Sequence, residues 1–406
     1  MKFRKTIILV QILILSIILT SCVGSREVNE LGIVTTTGVD IEDEEIIVTH
    51  EVIIPQSNTS TSGTSDSSVI YIQSKGETVF DALRNATLSF DRKLFMAHNR
   101  IVILGDEFAR RGIGGYFNFF INDNEPRESA YLLVAKDTKA YEVMGINGGL
   151  SDTPGKYLND LMENYKFNSK TRSLSINNVL KYSLRNYNPV IAIVESIQQL
   201  EIDKEEDKSI KNALNVEGGA VFHIDKLVGF YNGDEMQGFN FLVDEFENGL
   251  IVFDTPDEII RNNEFIANRG KYSVFEVKNS NTKKEVELID EKLHLLIDVN
   301  IKGALMEDTK GLDIIKKDIY YQVELACSNK VRELIETTMN KAQKVYKIDT
   351  FSISNLVHIK YPDLWREIKD DWDSIFPEIS YTINVKTDMI RAGLMNTPTN
   401  IRKEKK

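Results

Sequence analysis

The chain has 406 residues, 42% of them hydrophobic and 27% charged, which is ordinary for a globular protein. At ~150 residues per domain it is long enough for two or three domains. Its net charge of −12 at pH 7 argues against nucleic acid as a ligand, which wants a basic face, and against adhesion of the whole body to anionic headgroups.

The first elements in chain order form a leader. Lys2, Arg4 and Lys5 are followed by an apolar stretch over 6–20, interrupted by Gln11 and Ser16. The stretch is short of the ~20 apolar residues that a spanning helix needs and reads as an export signal over 1–21. Leu19-Thr20-Ser21-Cys22 resembles a bacterial lipobox. The expectation is that Cys22 becomes the lipidated first residue of the mature protein. The alternative is an ordinary signal with an incidental cysteine, or an uncleaved anchor. The one other cysteine, Cys327, falls in a strongly helical stretch and reads as a small buried apolar residue. With Cys22 lipidated, no intramolecular disulfide is possible and the fold rests on packing.

β-Branched runs at 33–37 and 46–54 flank an acidic turn at 40–44, which predicts a hairpin. The Ser/Thr-rich stretch 57–68 reads as a loop, and a third strand follows at 69–73. Ser74-Lys75-Gly76-Glu77 has the capping-box pattern, opening a helix whose stripe is Val79, Leu83, Ala86 and Phe90. Short buried-type strands are expected at 101–104 and 131–135, with a helical or broken-helical segment at 106–120. Alternation of strands and helices makes the N-terminal part, 22–200, an α/β domain.

The charged run over 201–212 reads as a boundary. A middle domain is expected over 213–262, with a hairpin at 218–225 and 226–231 and a strand at 249–253. A C-terminal α+β domain is expected over 263–398, with an antiparallel meander at 271–277, 285–288 and 294–304. The longest helix candidate is 313–347, with Leu312, Ile315, Ile319, Val323, Ala326, Leu334 and Thr338 on one face. A second amphipathic segment starts at Pro362, a good first helical residue. Its apolar face is Leu364, Trp365, Ile368, Trp372 and Ile375, and Pro377 ends it. The last strand alternates Ile379, Tyr381, Ile383 and Val385 against polar residues. The basic tail, 399–406, reads as a frayed solvated end in preference to a lipid-binding patch.

No compact catalytic or metal motif is present. The five histidines, His50, His98, His223, His294 and His358, show no short ligand spacing. Gly112 to Gly115 lacks both the dinucleotide fingerprint and the P-loop lysine, and no Gly-x-Ser-x-Gly elbow occurs. Acidic pairs such as Asp43-Glu44 and Asp370-Asp371 sit in polar runs where solvation is the default. No cofactor is expected. Trp365 and Trp372 have two readings: both are core, or part of their face docks a partner subunit, since tryptophan is favoured at interface hot spots.

Four sets of residues, in order along nearly the whole chain, resemble spore-germination lipoproteins of the Ger(x)C type. The first is Ser25-Arg26-Glu27-Val28-Asn29-Glu30-Leu31 with Gly38-Val39-Asp40. The second is Ala97-His98-Asn99-Arg100-Ile101-Val102-Ile103-Leu104-Gly105 with Phe108-Ala109-Arg110-Arg111-Gly112-Ile113. The third is Gly219-Ala220-Val221-Phe222, Lys226-Leu227-Val228-Gly229-Phe230 and Glu235-Met236-Gln237-Gly238. The fourth is Tyr361-Pro362, Trp365, Trp372-Asp373, Phe376-Pro377 and Arg391-Ala392-Gly393. The chain departs from the family at Val23-Gly24, where Trp-Asp is common, and at Ala97, usually glycine. The resemblance implies the C subunit of a nutrient germinant receptor. Such a subunit is non-catalytic, lipid-anchored on the outer face of the spore inner membrane, and works with A-type and B-type membrane subunits. It further implies an elongated α+β protein of about three mixed α/β domains. The competing reading is a solute-binding lipoprotein of an ABC importer, which requires a ligand cleft between two similar lobes. A surface hydrolase is a third, without a motif to support it.

Overall fold

In the computed structural model the described residues are 3–4, 30–53, 69–117, 127–185, 187–202, 208–255, 271–308 and 317–391. Cys22 and its lipobox, the Ser/Thr-rich loop, Leu312, Ile315, Ala392-Gly393 and the basic tail lie outside them. The described residues form a mixed α+β structure with two sheets and a long C-terminal helix.

The predicted first hairpin is present as β1 (Leu31–Glu42) and β2 (Glu45–Ile53), paired antiparallel from Glu42↔Glu45. Its turn is Asp43-Glu44, both with positive φ (47° and 70°), the backbone that a two-residue hairpin of type I′ requires. The edge strand β3 (Val69–Gly76) pairs with β2 and takes in Ser74 to Gly76. The capping box expected at Ser74 is therefore replaced. Thr78 caps helix α1 (Val79–Asn85) by accepting from Asp81 N, while Ser74 Oγ donates to the Ala82 carbonyl at 2.7 Å.

β1 also runs parallel to the short β4 (Lys93–Phe95) and to β5 (Ile101–Gly105), which neighbours β6 (Tyr131–Ala135) and then β7 (Val190–Ile202), all parallel. β5 and β6 are near-continuous apolar runs because both of their faces are covered. Val102, Leu104, Leu132 and Val134 enter one core, and Ile101, Ile103, Leu133 and Ala135 enter the other. The segment expected helical over 106–120 gives α2 (Asp106–Arg111), and the opposite core receives α3 (Ala140–Val143) and α4 (Pro154–Glu163). Helix α5 (Ile176–Leu184) opens on a capping box made by Ser175 and Asn178.

The charged run 201–212 is not a break between elements. The end of β7 and β8 (Lys208–Asn215) pair antiparallel, from Glu195↔Asn215 to Ile202↔Lys208. β9 (Gly219–His223) and β10 (Lys226–Tyr231) form the expected hairpin and complete the first sheet beyond β7. β11 (Gly249–Asp254), from the same expected middle domain, instead edges the second sheet, in the order β11-β12-β13-β14.

In that sheet the two strands expected at 271–277 and 285–288 are one, β12 (Tyr272–Ile289), paired with β13 (Lys292–Asp308). A register shift between Val277 and Asn279 changes which parity faces inward. Phe275 and Val277 are buried before it, Thr282 and Val286 after it. The inserted residue breaks the period of two, so the sequence reads as two strands. β14 (Ser380–Arg391) lies parallel to β13.

Helix α6 (Gly233–Leu242) was not expected from the sequence. Nine of its ten residues are buried, so it has no polar stripe to show a helical period. Its detectable signal is the capping box of Asn232 and Glu235. It crosses the long helix α7 (Lys317–Asn340), which ends in a π-helical turn over Lys341–Tyr346. Val323, Cys327, Val331, Leu334, Ile335 and Met339 of α7 enter the core of the second sheet.

Candidate interaction cleft

Asp349 organises the tryptophan segment. This nearly buried carboxylate accepts from the backbone N–H of Phe351, Ile353 and Ser354 at 3.1, 3.1 and 2.8 Å, and from Trp372 Nε1 at 3.2 Å. It satisfies the start of helix α8 (Ile353–Lys360), where Ser352 sits in the left-handed region (φ 57°) and makes no side-chain cap. Pro362 opens α9 (Pro362–Ile368), and a 3-10 turn over Lys369–Asp371 leads to α10 (Trp372–Ile375). The amphipathic segment is thus two short helices, re-aimed at the 3-10 turn.

The structure brings Trp365 and Trp372 together edge to face, with ring centroids 5.3 Å apart and planes at 72°. Their environments differ. Trp372 is buried with its indole N–H on Asp349, whereas Trp365 is half-buried, with the His358 ring 6.0 Å from it. Both line a cleft of about 870 Å³, together with Asn355, His358, Lys369 and Asp370. The opposite wall belongs to the first sheet and its flanking turns: Arg185, Tyr187, Asn188, His223 and Ile224. Asn188 ties the walls together, donating to the Asp349 carbonyl at 3.1 Å and accepting from Ile224 N at 2.9 Å. His223 Nε2 lies 3.2 Å from Asp373 Oδ2. The motifs around Trp365 singled out one wall; Arg185 and Tyr187 carry no sequence signal, because only the fold brings them within reach.

Elsewhere the recurrent motifs resolve into joints. Asp40 accepts from the N–H groups of Ala140 and Tyr141 at 2.7 and 3.2 Å, and Gly105 packs directly on its carboxylate. Gly112, at φ 126°, faces the Asp225 carboxylate in the β9–β10 turn, and Gly114 N donates to it at 3.3 Å. Asn99 Nδ2 donates to Thr37 Oγ1 at 3.0 Å, and Thr37 lies 3.1 Å from His50 Nδ1. Gln237 donates to the carbonyls of Asn168 and Leu250, and Asn240 to those of Ser169 and Thr171, which clamps 168–171 onto α6.

Asp40, His50 and Cys327 owe their displaced pKa values chiefly to burial. Desolvation raises Asp40 to about 6, lowers His50 to about 4 and raises Cys327 to about 12. Cys327 is fully buried, as expected. Among the described residues no three His, Cys, Asp or Glu side chains could jointly hold a metal ion. Among them also, no helix is long and apolar enough to cross a membrane.

The architecture is that of a two-sheet protein whose marked residues serve packing and line a cleft. Two family models match in succession: "Spore germination protein N-terminal domain" over 24–196, and "Spore germination B3/GerAC like, C-terminal" over 217–393. The chain belongs to this Ger(x)C family of spore-germination proteins. It is 25% identical to spore germination protein B3 of Bacillus subtilis (strain 168) over 92% of this chain and 95% of the relative. It is 24% identical to spore germination protein KC of the same organism, over 97% of this chain and 98% of that one. The fold matches the crystal structure of the GerBC protein with a TM-score of 0.56 and 23% identity, covering 87% of this chain and 96% of that one.

Proposed function

We propose that the protein is a non-catalytic, lipid-anchored subunit of a spore nutrient germinant receptor. It is held by Cys22 on the outer face of the spore inner membrane and contributes to assembly or signalling alongside A-type and B-type membrane subunits. The observation that carries this reading is the ordered match of both germination family models over nearly the whole chain. The domain division at 22–200, 213–262 and 263–398 remains part of the proposal. A solute-binding lipoprotein of an importer is the weaker reading, because the two sheets that flank the cleft differ in size and strand order. The test is deletion of the gene followed by a panel of nutrients. Loss of the response to one class of nutrient, with reduced levels of the membrane subunits, is expected. Normal germination to every nutrient together with unchanged subunit levels sinks the reading.

A further inference from the structure

The Leu31 end of the first sheet carries an exposed apolar and cationic corner. Leu88 closes the 3-10 turn Ala86–Leu88 that follows α1, and it is 84% exposed. Two contacts fix its place beside the start of β1. The ring of Phe90, two residues on, packs against Gly32, where a Cβ would come within 2.5 Å of Phe90 Cε1. Lys93 pairs with Leu31 in the parallel register of β1 and β4. Arg84 precedes Leu88 by four residues and lies with its guanidinium 4.9 Å over the ring of Phe80, itself 44% exposed. Phe80, Arg84 and Leu88 thus follow one another along the outward side of the helix and its 3-10 extension.

The charges around this corner favour cations. Arg84, Arg92, Lys93 and Arg100 stand against Glu30 and Asp91, in a chain of net charge −12. Asp81 lies at the opposite end of α1, and farther along the sheet end Arg127 and Glu128 offset each other. The chain supplies the second constraint. Leu31 follows Cys22 by nine residues, which span at most ~32 Å fully extended. With Cys22 lipidated, the start of β1 stays within that reach of the bilayer, whereas the β1–β2 turn lies ~36 Å farther along the strand.

We propose that this corner rests on an anionic lipid surface, with Leu88 in the headgroup region and Arg84, Arg92 and Lys93 toward lipid phosphates. A projecting leucine flanked by cations on a short tether makes an interfacial contact that adds to the anchor. The placement rests on the lipid-anchored reading above.

The test puts a label at Leu88. Full-length lipid-modified protein carrying Leu88→Cys is reacted with an environment-sensitive nitrobenzoxadiazole and reconstituted into phosphatidylglycerol vesicles. Cys327 is fully buried and the Cys22 thiol carries lipid, so the introduced thiol reacts alone. The expected result is blue-shifted emission, with quenching by headgroup nitroxide lipids at least twofold greater than for a label at Glu45→Cys, beside the far turn of the hairpin. Quenching should fall in neutral phosphatidylcholine vesicles and in Arg84→Glu/Arg92→Glu, while co-flotation with vesicles persists because the anchor carries it. A Leu88 label as water-exposed as the Glu45 label overturns the proposal. So does quenching that is equal in neutral vesicles and unweakened by charge reversal. The vesicles hold no other protein, so a corner that serves a protein partner gives the unquenched result. Flotation with an unquenched Leu88 label removes the contact and leaves the anchor reading intact. Failure of the native protein to float removes the anchor reading, and the contact with it.

Discussion

The hydroxyl of Thr338 lies 2.8 Å from the carbonyl of Glu235, one helix crossing onto the next, and shares its proton with the Leu334 carbonyl at 2.9 Å. This approach depends on Gly238. A Cβ there would overlap Thr338 Oγ1 and the Leu334 carbonyl, whose carbon would be 2.7 Å away. Lys341 then closes the joint by pairing with both oxygens of Glu235 at 2.9 and 2.7 Å.

Gly238→Ala should therefore destabilise the protein. Alanine gains ~1 kcal/mol in helix propensity, but the overlap is with backbone that no rotamer change relieves. Overpacking of this kind costs ~1–3 kcal/mol, and the two helices that meet here both pack into the core of the second sheet. A urea midpoint equal to or above that of the native protein would show that the helices separate freely.

Asp349→Asn should loosen the tryptophan segment. An amide presents N–H groups to at least one pair of the four donors that now share the carboxylate. Leaving buried donors unpaired costs ~1–3 kcal/mol each. The expected result is a loss of at least ~2 kcal/mol with red-shifted tryptophan emission; an unshifted spectrum would contradict the role given to Asp349.

Asp40 and His50 should give opposed pH dependences. Burial raises Asp40 from 3.8 to about 6, so its contribution to stability is present below about 3.8 and lost as pH rises through 6. Burial lowers His50 from 6.5 to about 4, so its contribution is present above 6.5 and lost as pH falls through 4. Across pH 4 to 6 the two slopes oppose. Relative to the native protein, Asp40→Asn should gain roughly 3 kcal/mol as pH rises through that window, and His50→Gln should lose a similar amount. Denaturant unfolding measured across the window decides it, and parallel stability curves for native and variant would sink the account.

Cys327 should be chemically silent. It is fully buried in α7, and its thiol is pushed up to about 12, so thiolate is scarce and access is closed. In Cys22→Ala, where it is the remaining thiol, labelling by a disulfide reagent at pH 8 should appear only after unfolding. Prompt labelling of the native protein would contradict this.

The same variant tests the anchor. Two acyl chains hold firmly where one short chain is marginal, at ~0.8 kcal/mol per buried methylene. Cys22→Ala should leave the tightly membrane-bound fraction or accumulate as precursor. Unchanged processing and membrane retention count against lipidation.

Local pattern was readable where one element meets one environment. The β1–β2 hairpin, the doubly buried strands β5 and β6, and the apolar face of α7 were each expected from residue order, because burial on a face or on both faces leaves its period in the chain. Ser74 misled, since a capping pattern is indistinguishable from strand until the partner strand is known. α6 was invisible because it is buried all round, and β12 was divided by its own bulge.

By itself, the sequence determined the mixed α+β content, the lack of compact catalytic motifs and the ordered motifs of the family. Only the tertiary structure decided what those motifs do. Gly238 is required by Thr338, one hundred residues away in sequence; Asp40 serves the N–H groups of a helix that the chain reaches much later; and Trp365 and Arg185 line one cleft that neither wall contains alone. The reason is physical. Propensity and periodicity act within a few residues, whereas close approach, desolvation and unpaired charge are set by neighbours that only the completed packing supplies.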